Sequence, residues 1–295
     1  MQNPDPDIVS LPFISAYTFR SLADHGLVAE STINCFMSRL PNGIDPSAVK
    51  PGDMIYISSD LIEVFFRDIG TRLDVPYVLI SGLRDREVDE PTASLISDNV
   101  IRWYTQNNSS SHPRVSTIPI GLQNMYWQSP DDFQGDVGLL SEIASEVIEP
   151  SKNILMSFTV SSNPSTRGAC REHFLRQKNI VTVRDFDPVS RTERNVAADH
   201  FREIRRHKFV VSPFGRGLDC FRNWETFSLG SIPIIQKHKS MEAFYDMPAW
   251  FVEDWSEVDE YSMNKKYDEM KSNWDSFNHE KRLFRYWQRL LVSST

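Results

Sequence analysis

Short, almost uninterrupted apolar runs recur along the chain, separated by stretches with helical spacing. Met54 to Ser58, Tyr77 to Ser81, Val100 to Tyr104 and Val115 to Ile120 each read as a buried strand. Asp60 to Gly70, after the first of these, has the spacing of a helix. Runs that are apolar on both faces suit a parallel sheet covered on both sides, and strands alternating with helical spacers predict the same arrangement. In such sheets ligands sit beyond the carboxyl ends of the strands. That singles out the polar loops Ser81 to Glu90, Gln106 to Asn108 and Gly121 to Asn124.

After a polar, turn-rich stretch and a helix predicted over Leu139 to Ile148, the pattern starts again. Ile154 to Thr159, Ile180 to Val183, Phe209 to Val211, Ile232 to Ile235 and Ala249 to Val252 read as strands. Ser165 is positioned to cap a helix running to about Gln177, and a further helix spans Asn195 to Arg206. The tail from Asn264 is helical, with aromatic and leucine residues at helical spacing between Phe277 and Leu291. The boundary is placed at Glu149-Pro150-Ser151, giving domains 1–150 and 151–295. The fold class is α/β, two Rossmann-like domains facing a cleft.

One stretch of the second half carries chemistry. Lys208-Phe209-Val210-Val211-Ser212-Pro213 ends a strand, Gly215-Arg216-Gly217 makes a tight loop, and a helix is expected from an Asp219 N-cap to a Gly230 terminus. A glycine-bearing loop that opens a helix offers free N–H groups and the positive end of a dipole, which suit phosphate oxygens. Arg216 and Arg222 would add fixed cationic donors. The competing reading is that Arg222 and Glu225, three apart on one helix, pair on its surface.

The run Lys208 to Pro213, followed by Gly217-Leu218-Asp219-Cys220-Phe221-Arg222, Trp224-Glu225 and Gly230-Ser231-Ile232-Pro233-Ile234, resembles the donor-site region of exostosin-type glycosyltransferases. The resemblance is sharp over about 30 residues and looser from Asn153 to Trp255. It implies a GT-B architecture whose tail helix crosses back over the cleft, a UDP-sugar donor and a glycan or glycoprotein acceptor. It also implies inversion at the anomeric carbon without a metal or other cofactor. Similarity to small viral and microbial members suggests xylose as the sugar. The donor-binding residues are then Arg167, Ser212, Pro213, Arg216, Gly217, Asp219, Arg222 and Glu225. The Arg side chains serve the diphosphate and Glu225 the ribose hydroxyls.

Charge sharpens this picture. The net charge is −8, yet Arg167 to Arg222 holds thirteen Lys or Arg against seven Asp or Glu, whereas Met241 to Glu260 holds seven acids and no Lys or Arg. A basic segment inside an acidic protein points to a confined anion rather than a nucleic-acid surface. The Arg-rich Asn195 to Arg206 helix is the one place a nucleic acid would bind. No apolar run approaches a membrane span and the first twelve residues carry no signal-like segment, so a cytoplasmic protein is expected. Three scattered cysteines, Cys35, Cys170 and Cys220, form no zinc or disulfide pattern.

An inverting transfer needs a proton acceptor, expected from a strand-end loop of the first half. Asp85 and then Glu87 are the candidates, Asp60 the third, with partial burial expected to raise the carboxyl pKa. Salt bridging within Arg84-Asp85-Arg86-Glu87 is the simpler alternative. Gln106 and Asn107 are the candidate acceptor-side residues. Two alternatives stand beside this reading. One is a non-catalytic nucleotide-sugar or glycan-binding module. The other is a metal-dependent glycosyltransferase using Asp185 and Asp187, a triplet matched in type by Asp5-Pro6-Asp7.

Overall fold

The structure, a computed structural model, describes residues 13–29, 42–123, 136–184 and 193–293. Cys35, the Asp5/Asp7 triplet and the Asp185/Asp187 triplet lie outside these residues. The chain divides into two compact units. Among the described residues, one comprises those within 13–120, with Gly217–Asp219 and 283–293; the other comprises those within 121–216 and Cys220–Arg282.

The first unit is built on strands β1 (His25–Leu27), β2 (Met54–Ser58), β3 (Tyr77–Gly82), β4 (Val100–Thr105) and β5 (Val115–Thr117). All are parallel and lie in sequence order. Helix α1 (Ala16–Leu22) precedes β1 and is closed by a reciprocal Ser15–Thr18 capping box. The segment expected as one helix after β2 is a run of tight and wide turns from Ser59 to Arg72 around a three-residue α2 (Ile62–Val64). Helix α3 (Glu90–Ala93) follows β3. Every residue of β2 and β3 is buried, as the unbroken apolar runs require. Neither α1 nor the short β1 carries the unbroken apolar run that marks the other elements.

The second unit holds α4 (Val137–Ser145), β6 (Lys152–Met156), α5 (Pro164–Leu175), β7 (Val181–Val183), α6 (Arg194–Arg206), β8 (His207–Val211), α7 (Phe221–Ser228), β9 (Ile232–Gln236), β10 (Trp250–Val252) and α8 (Glu260–Ser272). Its sheet is also parallel, in the order β10-β9-β8-β6-β7. The chain leaves β6 for β7 on one side and returns to β8 on the other, so a topological switch point lies between β6 and β8. Ile154, Met156, Phe174, Phe209, Ile234, Trp250 and Trp255 form its core. The last helix, α9 (Phe284–Val292), belongs to the first unit, where Phe284 meets Phe19 edge to face. Two parallel five-stranded sheets give the α/β class expected from the sequence.

The Arg-rich α6 uses its charges within its own unit. Arg202 forms a bidentate pair with Glu146, Arg194 pairs with Glu142 at 2.6 Å, and Arg205 donates to the Ile143 carbonyl, joining α6 to α4 and the residue after it. Arg206 pairs with Glu203 at 2.8 Å. Each of these four cations has a partner within its own unit. Ala197, Ala198, Phe201 and Ile204 form the buried stripe of this helix.

Candidate functional site at a strand switch point

In an open parallel sheet, the loops beyond the carboxyl ends of the two strands at a reversal of order diverge and leave a crevice. Here those loops follow β6 and β8. The first runs through Ser157, Phe158 and Thr159 to α5; the second is Ser212 to Arg216.

Arg167, in the first turns of α5, ties the two loops together. Its Nη1 donates to the Thr159 carbonyl at 2.9 Å, its Nε to the Phe214 carbonyl at 2.9 Å and its Nη2 to the Pro213 carbonyl at 3.5 Å. Asn163 adds a second tie, donating from Nδ2 to the Gly215 carbonyl at 2.9 Å. Asn163, rather than the expected Ser165, caps α5: its Oδ1 accepts from Thr166 N, and Pro164 occupies the first helical position. The Asn-Pro dipeptide was the available signal. A Cβ on Gly215 would stand 2.9 Å from Arg167 Nη2, so a larger residue there would displace the end of that guanidinium.

Two guanidinium groups gather on one aromatic ring. The Cζ of Arg167 lies 5.6 Å from the Phe158 centroid and that of Arg222 lies 5.8 Å away. Burial pulls the Arg167 pKa below its usual value, and the Arg222 charge pulls it further. The Arg222 guanidinium has neither a hydrogen bond nor an ion pair among the described residues, so the surface pair with Glu225 does not form; its carbonyl accepts from Thr226 Oγ1 at 2.6 Å. Ser157 is 1% exposed, and its Oγ has no partner among the described residues. Phe158 and Ser157 were missed in sequence, where they read as the end of a buried strand. Cys170, also near these arginines, is buried, which pushes its thiol pKa up.

The remaining residues expected at the donor are more varied. Ser212 Oγ meets Cys220 Sγ at 3.2 Å, and Pro213 presents its carbonyl to Arg167. Arg216 is exposed and unpaired among the described residues. Helix α7 begins at Phe221 with Cys220 at its N-cap, and the Cys220 side chain makes no cap hydrogen bond. The expected Asp219 cap is therefore corrected: Asp219 Oδ2 accepts from Ile120 N at 2.9 Å instead. Glu225 is 2% exposed and faces His200 at 4.0 Å.

The first unit brings Asp85, Asn107 and the segment Gly217–Asp219 together. Asn107 Oδ1 accepts from Leu218 N at 3.0 Å and Asp219 N at 2.9 Å. A Cβ on Gly217 would stand 3.0 Å from Asn107 Nδ2 and 3.2 Å from Asp85 Oδ1. Leu83 and Asn107, at the ends of β3 and β4, hold positive φ values of 75° and 53°. Such values are uncommon for non-glycine residues and cluster at functional loops. Gln106 is occupied on both amide atoms, accepting from Leu83 N and donating to the Pro119 carbonyl. Asp85 and Glu87 are exposed, so the partial burial expected of them is absent. Arg84 approaches Asp60 at 3.7 Å, Arg86 pairs with Glu63, and Glu87 accepts from Ser109.

Among the described residues, no three His, Cys, Asp or Glu side chains gather where they could hold a metal ion, and no helix is long and apolar enough to cross a membrane. No protein-family model and no curated protein matches the chain, so the exostosin-type resemblance rests on its motif residues. Among solved structures, the chain is similar to an α,α-trehalose-phosphate synthase (UDP-forming) from Burkholderia vietnamiensis, with 9% identity and a TM-score of 0.36 over 84% of this chain and 70% of that one.

Proposed function

We propose that the chain is an inverting glycosyltransferase that takes its sugar from a nucleotide diphosphate, with UDP as the carrier. The observation that carries this reading is the Arg167 and Arg222 pair on Phe158, at the switch point of a parallel sheet and with no carboxylate paired to either among the described residues. Two guanidinium groups gathered near the start of a helix suit a diphosphate. Arg216, on the same loop and exposed, is the third cation assigned to it.

In the reaction, an acceptor hydroxyl attacks the anomeric carbon while the bond from that carbon to the phosphate oxygen breaks. Negative charge grows on the departing diphosphate, and fixed guanidinium groups stabilise it without reorganising. The hydroxyl proton passes to a carboxylate on the opposite face of the sugar, a role assigned to Asp85, whose Oδ1 stands close to Gly217. Arginines that already neutralise the phosphate leave no requirement for a divalent ion. Glu225 is assigned to the ribose, and its removal should weaken nucleosides as well as nucleotides. Xylose as the sugar and a glycan as acceptor rest on the family resemblance alone.

Titrating the protein with UDP and then assaying hydrolysis and transfer of UDP-sugars tests the proposal. A ligand at 100 times its Kd raises stability by about 2.7 kcal/mol, well within reach of a melting assay. Absence of any UDP-dependent stabilisation defeats the donor assignment. Turnover abolished by EDTA and restored by manganese would replace the metal-free mechanism and point to Asp185 and Asp187. A second reading, a binding module without turnover, is favoured by the exposure of both Asp85 and Glu87. UDP binding with no transfer to any acceptor would select it.

A further inference from the structure

A second cluster of cations lies at the opposite end of the strands of the same sheet. A cavity of about 420 Å³ opens at the amino-terminal ends of β8 and β9, lined by His207, Lys208 and Ile232. The switch-point loops leave the carboxyl end of β8, five residues further on. At about 3.3 Å per residue that separates the two places by more than about 10 Å.

Arg205, Lys208, Lys271 and Arg282 all line this cavity, and no acidic residue does. The ammonium groups of Lys208 and Lys271 stand 5.0 and 5.8 Å from the centroid of one ring, Tyr267, so these two like charges are at most about 10.8 Å apart. The two guanidinium groups donate to backbone carbonyls, Arg205 to Ile143 and Arg282 to Phe227. Nearby carboxylates are used elsewhere: Glu203 holds Lys152 and Arg206, and Glu269 holds Lys266. Among the described residues, none of the four cations is paired with a carboxylate.

Four cations around one small space repel one another, and the cost is offset only when an anion enters. A single carboxylate would balance one of them; a phosphate dianion balances two and offers three acceptor oxygens. The volume falls in the range of small-molecule sites. Trp274, half-buried in the wall, supplies an apolar face. We propose that this cavity binds a small phosphate monoester, its dianion held among Lys208, Lys271, Arg205 and Arg282 and its organic part against Trp274.

Isothermal titration of the full chain with phenyl phosphate tests this. The expected result is one saturable site whose affinity falls as salt is raised, with phenol giving no heat. The double variant Lys208→Gln/Lys271→Gln should bind at least tenfold more weakly. Unliganded, it should melt no lower than the parent, because the substitutions remove repulsion. Should it nevertheless fail to fold, Lys271→Gln alone, at an exposed position, should weaken binding several-fold. Arg222→Met, at the switch point, should leave phenyl phosphate affinity within twofold. The proposal is overturned by no saturable heat at millimolar ligand, by undiminished affinity in the lysine variants, or by loss of binding in Arg222→Met.

Discussion

Replacing Arg222 with Met separates the two things a buried-edge arginine can do. Its methylene stem can pack, and Met keeps most of that contact. Its charge has no ion pair among the described residues, and it acts on the like charge of Arg167 at the same Phe158 ring. The two distances to the ring centroid cap the separation of the guanidinium carbons at about 11.4 Å. At that distance and an effective dielectric of about 20, two like charges repel by roughly 1.5 kcal/mol. Arg222 is half-exposed, so solvent reduces the figure to roughly 0.5–1 kcal/mol. The variant should therefore be as stable as the parent, or more so by up to about 1 kcal/mol. Its UDP affinity should move the other way. A charge-assisted hydrogen bond to phosphate contributes about 1.5–3 kcal/mol, or roughly 10- to 150-fold in Kd. Urea unfolding and calorimetric titration with UDP at one ionic strength read the two quantities separately. A Kd within twofold of the parent would remove Arg222 from the donor site. Destabilisation beyond about 2 kcal/mol would show that its packing, not its charge, is why it is there.

Arg167→Met should behave in the opposite sense, losing about 3 kcal/mol or more of stability in urea, because three loop carbonyls lose their donor at once. Arg167→Lys should fail to restore it, since one ammonium cannot reproduce the fork geometry. Asp85→Asn should lower sugar transfer by about 10²–10⁴-fold with UDP affinity unchanged; retention of more than about a tenth of the rate clears Asp85 of the role. Burial lowers the His207 pKa, so the folded state binds fewer protons than the unfolded chain. Its contribution is intact above about pH 6.5, the unfolded value, and is lost as pH falls from there toward the folded pKa. Urea unfolding of the parent and of His207→Gln at pH 7 and pH 5 should give a smaller pH dependence in the variant, and equal slopes would refute the assignment.

What local sequence determined here is the order of elements. Continuous apolar runs such as Met54–Ser58 and Tyr77–Gly82 can be satisfied only as strands covered on both faces, and that property is written in consecutive residues. Helix limits followed less faithfully, because Asn163 and Asp219 compete for partners that sequence does not display: Asn163 caps α5, while Asp219 turns to Ile120 N. The amphipathic stripe of α6 was legible, but not that Arg202 and Arg194 would be taken by Glu146 and Glu142, since those partners lie about 50 residues away. The switch point belonged to tertiary structure alone. Strand order depends on which side of β6 each crossover returns, and only that choice sets the loop after β6 beside the loop after β8. The same is true of Phe158, which ends an unremarkable apolar run and becomes, through packing, the surface on which Arg167 and Arg222 converge.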